Sequence, residues 1–241
     1  MIVVVAETGS TNADLRDRTG PAERLSEGDW LVADRQSAGR GRLDRKWFDG
    51  IGNFMGSTPI DLRPGDPEPF SLALVAGIAL YEAARVYADT GSTLQLKWPN
   101  DLLLDGGKLA GILLERQADR VVAGFGVNLA SAPDLPHCAT STLARGTSAP
   151  DRNAFAEKLA ASFAQELERW RNIGLASLLR RWEAVAHPKG TSLQVAPPGE
   201  QPISGTFAGL DDTGNLRLQV GASLRIIHAG DVLLTPARSL R

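Results

Sequence analysis

Residues 97–115 read KWPNDLLLDGGKLAGILLE, and no other stretch limits so sharply what this chain can fold into. Two apolar runs of strand length, Leu102-Leu103-Leu104 and residues 109–114, flank Asp105-Gly106-Gly107, a turn that supplies the positive φ of a tight hairpin. Such a hairpin gathers Lys97, Asn100, Asp101 and Lys108 around one corner. Taken singly each residue is ordinary, since Asn-Asp after proline makes turns and a lysine beside a hairpin is usually solvated. A second polar cluster upstream changes that, because it needs the same kind of partner.

That cluster is residues 35–47, RQSAGRGRLDRKW. Arg40, Arg42 and Arg45 are interleaved with Gly39 and Gly41, just after an apolar run at residues 30–33 that reads as a strand. Glycines let backbone amides come close to an anion, and guanidinium forks grip phosphate oxygens in pairs. The chemistry is that of a polyanion-binding loop. With 26 basic against 28 acidic residues the chain is near neutral, so this basic character is local and no global field draws the protein to nucleic acid or an anionic membrane.

The remaining composition narrows the class. A chain of 241 residues with 43% hydrophobic content can build one large domain and a small one. One cysteine, Cys138, excludes an internal disulfide framework, and three scattered histidines give no zinc-ligand spacing. The opening MIVVVAETGSTN lacks a cationic leader region, and no window reaches the roughly 18 apolar residues of a membrane span. A cytoplasmic protein without a membrane partner is expected.

In chain order, residues 2–6 form a short strand, and Ser10 or Thr11 suits the cap of a helix through Asn12, Ala13, Leu15 and Arg16. Residues 54–60 read as a strand, 70–88 as a largely buried helix, and 94–97 as the strand leading into the hairpin. A strand at 121–129 ends in Gly126-Val127-Asn128. Asp151 caps a helix with Phe155, Leu159, Phe163 and Leu167 on one stripe, and a second helix carries Leu175, Leu178, Leu179, Trp182 and Val185. Beyond Pro188-Lys189-Gly190 five short alternating runs separated by turns, the last at 232–234, make a small barrel. The reading is α+β, with a mixed central sheet and its helices over residues 1–187 and a small β domain over 188–241.

Taken together, Gly39-Arg40-Gly41-Arg42, Lys97-Trp98-Pro99-Asn100-Asp101, Lys108-Leu109-Ala110-Gly111-Ile112, Gly9-Ser10-Thr11-Asn12 and Gly124-Phe125-Gly126-Val127-Asn128 resemble the motifs of the biotin protein ligases, in the same order and spacing. The resemblance implies an SH3-like C-terminal barrel, ATP and biotin as substrates, and Mg2+. It implies activation of biotin as biotinyl-5'-AMP and transfer to a lysine of a biotin carboxyl carrier protein. It also implies roles. Ser10, Thr11, Asn12 and Gln36 hold the ureido head, with Gly39, Arg40, Gly41, Arg42, Trp47, Lys108 and Gly111 completing the biotin pocket. Arg42 and Lys108 carry the chemistry. Arg40, Arg42, Arg45, Asn100, Lys108 and Asn128 face the nucleotide, Asp101 holds the metal, and Trp182 packs near the adenine or belongs to the core.

Where such loops commonly carry glycine this chain has Asp44, whose carboxylate could pair with Arg42 or Arg45. Only nine residues precede Ser10, too few for a DNA-reading module, so no DNA partner is expected. A monomer and a homodimer both stay open. The rivals are a lipoate-protein ligase, which shares the fold and the adenylate chemistry, an octanoyl transferase, for which no convincing thiol nucleophile is present, and a nucleic-acid binder, for which aromatics interleaved with basic residues are lacking.

Overall fold

The computed structural model describes residues 1–136, 138–146 and 148–234; the side chain of Asp44, and with it the pairing considered above, lies outside the described residues. Seven strands form the main sheet: β1 Ile2–Thr8, β2 Trp30–Gln36, β3 Phe54–Asp61, β4 Leu94–Lys97, β5 Asp101–Leu104, β6 Gly107–Gln117 and β7 Arg120–Val127. Their order is β1-β2-β3-β7-β6-β5-β4. β1 and β2 run parallel, joined by the crossover that contains helix α1 Thr11–Asp17; the other neighbours are antiparallel. Alternation along the central strands puts one set of side chains on each face.

One face carries the core. Helix α2 Leu72–Ala84 is buried on nearly every side, and α3 Arg152–Ile173 lays Phe155, Leu159, Phe163, Leu167 and Trp170 against α2 and the sheet. Trp30, Phe125 and Phe163 interlock, with Phe163 edge-on to both other rings. α3 starts where Asp151 accepts a hydrogen bond from the Ala154 amide at 2.8 Å, a cap worth about 1 kcal/mol. Helix α4 Leu175–Ala184 follows, with Leu178 and Trp182 inward. The opposite face is covered more thinly, by α1 and the short 3-10 turn at Gly20–Arg24, over a small cluster of Leu15, Ala22, Leu25, Leu31 and Val122. Ser10 caps α1 and is 7% exposed. This thinly covered face has room for a site.

The short runs beyond Pro188 fold as a second, five-stranded antiparallel sheet: β8 Ser192–Ala196, β9 Ile203–Leu210, β10 Leu216–Val220, β11 Ser223–Ile227 and β12 Asp231–Leu234, in the order β11-β10-β9-β8-β12. It docks on the hairpin corner and on α4: Trp98 Nε1 donates to the Gly214 carbonyl at 3.2 Å, Lys97 Nζ to the Val232 carbonyl at 2.9 Å, and the Leu210 amide to Glu183 of α4 at 2.6 Å.

At this junction His187 is 2% exposed, and its ring centroid lies 4.5 Å from that of Phe207. Burial, helped by the nearby Lys97 charge, pushes its imidazole down to about 4 from an ordinary value of 6.5. Between those values the unfolded chain takes a proton that the folded chain refuses, so stability falls as pH drops from 6.5 towards 4 and levels off below. The interval corresponds to a contribution on the order of 3 kcal/mol. Urea unfolding at pH 7 and pH 4.5 is expected to show a larger loss for the unsubstituted protein than for His187→Phe. Equal losses would show that this histidine is not the group responsible.

Candidate active site

The hairpin turn is built on Asp105 (φ 50°) and Gly106 (φ 81°), two left-handed residues in a row. Gly107 is required for a different reason: it already pairs with Leu104, and a Cβ there would sit 2.3 Å from Ser141 Oγ. The register slips between Leu102 and Leu103, which pair with Ala110 and Lys108. Beyond the slip Lys108 Nζ reaches Asp101 Oδ1 at 2.7 Å, while Lys97 Nζ takes Oδ2 at 2.8 Å. Asp101 is 8% exposed. Burial acts to raise its carboxyl, but the two ammonium groups outweigh it and hold the acid below the ordinary carboxylate range.

Beside this clamp lies the arginine loop. Its ends are tied by Trp47 N to Gly39 O at 3.0 Å and Gly41 N to Arg45 O at 2.7 Å, and the turn between them places Leu43 in the left-handed region (φ 55°). The loop spreads its cations to separate anchors. Arg42 donates to Asn100 Oδ1 at 3.1 Å and to the Gly230 carbonyl at 3.3 Å from both terminal nitrogens. Its guanidinium is partly buried, which pushes its pKa down against the pull of Asp231 and Asp101, and among the described residues no carboxylate pairs with it directly. Arg45 pairs with Asp231, and Arg40 lies 3.6 Å from Glu115. A cavity of about 220 Å³ adjoins this corner, lined by Arg42, Asn100, Trp98 and Leu113 with Gly214 and His228 from the connections between strands of the second sheet.

A glycine strip leads from the clamp across the thinly covered face. Gly111 and Gly126 stand opposite each other on β6 and β7, and Gly124 opposes Leu113. The Trp47 ring lies on the first two: a Cβ on Gly126 would sit 2.2 Å from its Cε2, and one on Gly111 3.2 Å from its Cζ3. Lys108 Nζ is 6.0 Å from the Trp47 ring centroid. Past Gly124, where a Cβ would meet Asn12 Oδ1 at 2.1 Å, the α1 residues form a buried polar chain. The Thr11 amide donates to Gln36 Oε1 at 2.7 Å, Thr11 Oγ1 is 2.7 Å from Ser57 Oγ, Ser57 Oγ donates to Asn12 Oδ1 at 2.6 Å, and Asn12 Nδ2 donates to Glu115 Oε2 at 2.8 Å. Asn128, 2% exposed, bonds the Lys108 and Ser141 carbonyls at 3.3 and 3.1 Å behind the hairpin.

The expected residues therefore fall into two groups joined by the strip. Arg42, Asn100, Asp101, Lys108 and, behind them, Asn128 stand at one end; Ser10, Thr11, Asn12 and Gln36 stand at the other, with Trp47, Gly111, Gly39, Arg40 and Gly41 between or beside them. Asp101, expected to hold the metal, has each carboxylate oxygen engaged by a lysine. Trp182, 1% exposed, packs in the core against Gly77, on α2, and does not line the cavity. Missed altogether were Ser57, Glu115 and the 230–232 segment. Glu115 had one signal, a lone acid closing an apolar run.

Two family models match the chain: the biotin/lipoate A/B protein ligase family over residues 7–129 and the biotin protein ligase C-terminal domain over residues 195–234. Among curated relatives, the chain is 38% identical over 235 residues to a biotin–[acetyl-CoA-carboxylase] ligase of Mycobacterium tuberculosis, covering 95% of this chain and 87% of that one. It is 36% identical over 240 residues to the Paracoccus denitrificans enzyme of the same description, covering 95% and 98%. Among solved structures, the biotin protein ligase of Aquifex aeolicus in complex with biotin and ATP superposes with a TM-score of 0.83 at 25% identity, over 97% of this chain and 99% of that one. On the matched domains, the identity over almost its whole length and the shared architecture, this chain belongs to the biotin/lipoate protein ligase family, on its biotin protein ligase side.

Proposed function

We infer that the chain is an ATP-dependent biotin protein ligase that forms biotinyl-5'-AMP and passes biotin to a lysine of a carboxyl carrier protein. The observation that carries this reading is the meeting of Lys108 and Arg42 at the Asn100-Asp101 corner, one glycine strip away from the polar chain of Thr11, Asn12 and Gln36. A carboxylate and a triphosphate repel, so cations positioned in advance lower the barrier to their approach. In this reading the polar chain binds the ureido ring, and Trp47 and the glycines receive the bicycle. The acid group then extends towards Lys108 and the α-phosphate towards Arg42. A biotin oxygen bonds to phosphorus as the bond to pyrophosphate breaks, and pyrophosphate leaves with the electron pair. The acceptor lysine, as a neutral amine, then attacks the acyl carbon; its extra proton is lost and AMP departs.

Asp101 serves here as the holder of two lysines, keeping Lys108 extended across the hairpin, and not as a metal ligand. Mg2+ would come with the nucleotide, held by its phosphate oxygens, and would offset the charge of the leaving pyrophosphate. Asn100 and Asn128 flank the nucleotide, Arg40 and Arg45 supply further positive charge, and Trp182 is a core residue. Residues 1–187 form the chemical unit, and the domain starting at 188 closes its hairpin corner through Gly230 and Val232.

Adding biotin to the protein with Mg·ATP is expected to release pyrophosphate, with label then moving to a lysine of a biotin carboxyl carrier domain. Release driven by lipoate instead would move the assignment to the lipoate ligases. In Arg42→Gly the guanidinium bonds to Asn100 and Gly230 are lost, and adenylate should escape on the order of tenfold faster or more, as two such contacts imply. Escape no faster than from the unsubstituted protein would contradict the reading of the arginine loop as a mobile lid that retains the adenylate.

A further inference from the structure

The polar chain through Asn12 has a direction, and its fixed end is Glu115. Asn12 Nδ2 donates to Glu115 Oε2 at 2.8 Å and more weakly to the Leu113 carbonyl at 3.3 Å, so Asn12 Oδ1 is left to face Ser57 Oγ, which donates to it at 2.6 Å. A hydroxyl has one proton to give. With Ser57's spent on Asn12, the 2.7 Å contact between Ser57 and Thr11 must use Thr11's proton. Thr11 Oγ1 then has none for Gln36 Oε1, although that oxygen is only 3.0 Å away. Gln36 Oε1 keeps the Thr11 amide at 2.7 Å and one open acceptor position.

The opposite wiring is available to the same atoms. Were the Asn12 amide reversed, Ser57 would donate to Thr11, Thr11 to Gln36, and the open acceptor on Gln36 would be filled from inside. A carboxylate accepts and does not donate, so Glu115 excludes this state: the reversed amide would aim its oxygen at an anion. Asn12, Thr11 and Ser57 are all nearly inaccessible to water, so no solvent proton relaxes the rule. Arg16 at 3.1 Å and Arg40 at 3.6 Å hold the carboxylate where it stands.

We propose that Glu115 is a specificity-determining positioning residue: through Asn12, Ser57 and Thr11 it keeps the Gln36 carbonyl free to accept a ring N–H of the bound urea. The proposal rests on the biotin reading above. It makes the site selective for a ligand that donates at that point, independent of overall affinity, because a buried acceptor left unpaired is penalised.

The test uses the full chain, isothermal titration, biotin, and the two neutral analogues in which one or the other ring N–H is replaced by oxygen. The unsubstituted protein should prefer biotin over one of these by at least tenfold. In Glu115→Leu, and in Glu115→Gln should the first variant not fold, that preference should fall about tenfold, whereas Arg16→Gln, which spares the Asn12 bond, should keep it. If the Glu115 variants weaken biotin and both analogues by the same factor, Glu115 is merely structural and the proposal fails. If the unsubstituted protein binds none of the three ligands, the ligase reading itself is lost and the relay with it.

Discussion

A carboxylate buried between two lysines organises the rest of this molecule. Asp101 would be costly to bury alone, and its two ammonium partners offset that cost only because the fold holds both within 3 Å. One comes from β4 just before the Trp-Pro corner, the other from β6 just after the hairpin turn, so the same contact fastens the two strands that flank β5. Lys97 extends the chain of contacts into the second sheet through the Val232 carbonyl. With Arg42 alongside, three cations gather about one acid, and this local excess suits a corner that is to receive a polyphosphate.

How the loop is anchored matters as much as its charge. Arg42 is held by a carbonyl and an amide oxygen, neutral acceptors that give way to phosphate without stranding an unpaired anion. Arg45 does have an anionic partner, Asp231, but both side chains are partly exposed, and pairs of that kind contribute about 0–1 kcal/mol. The loop is therefore tethered to the second sheet without being locked to it, as a lid over a reactive intermediate needs to be. On this account the C-terminal sheet belongs to the working site, since Gly230 and Val232 touch two of its cations.

Much of this was readable from sequence because it is local. A turn of Asp-Gly between apolar runs fixes a hairpin, and hydroxyl or acidic caps at Ser10 and Asp151 fix helix starts, since a few neighbouring residues decide each outcome. Contacts across the chain were harder. That Asp101 would lie between two lysines was harder to foresee, since Lys108 reaches it past a register slip of one residue in the hairpin, and no periodicity announces such a slip. Ser57 and Glu115 look like ordinary strand residues; only the neighbouring strands, which set Ser57 beside Gly124 and Glu115 on the face of Gly111, bring them to Asn12. Trp182 could be read as core or as an adenine platform because an apolar helical stripe is compatible with both; in the fold it packs against Gly77 of α2.

The central claim is that Arg42 and Lys108 converge on one reacting centre at the end of a strip that starts at Thr11 and Asn12. A crystal structure with a stable sulfamoyl analogue of biotinyl-5'-AMP tests it most directly. The account predicts the ureido ring against Thr11, Asn12 and Gln36, and the sulfamoyl group within hydrogen-bonding distance of both Lys108 Nζ and the Arg42 guanidinium. A bound analogue whose linking group touches neither cation would contradict it.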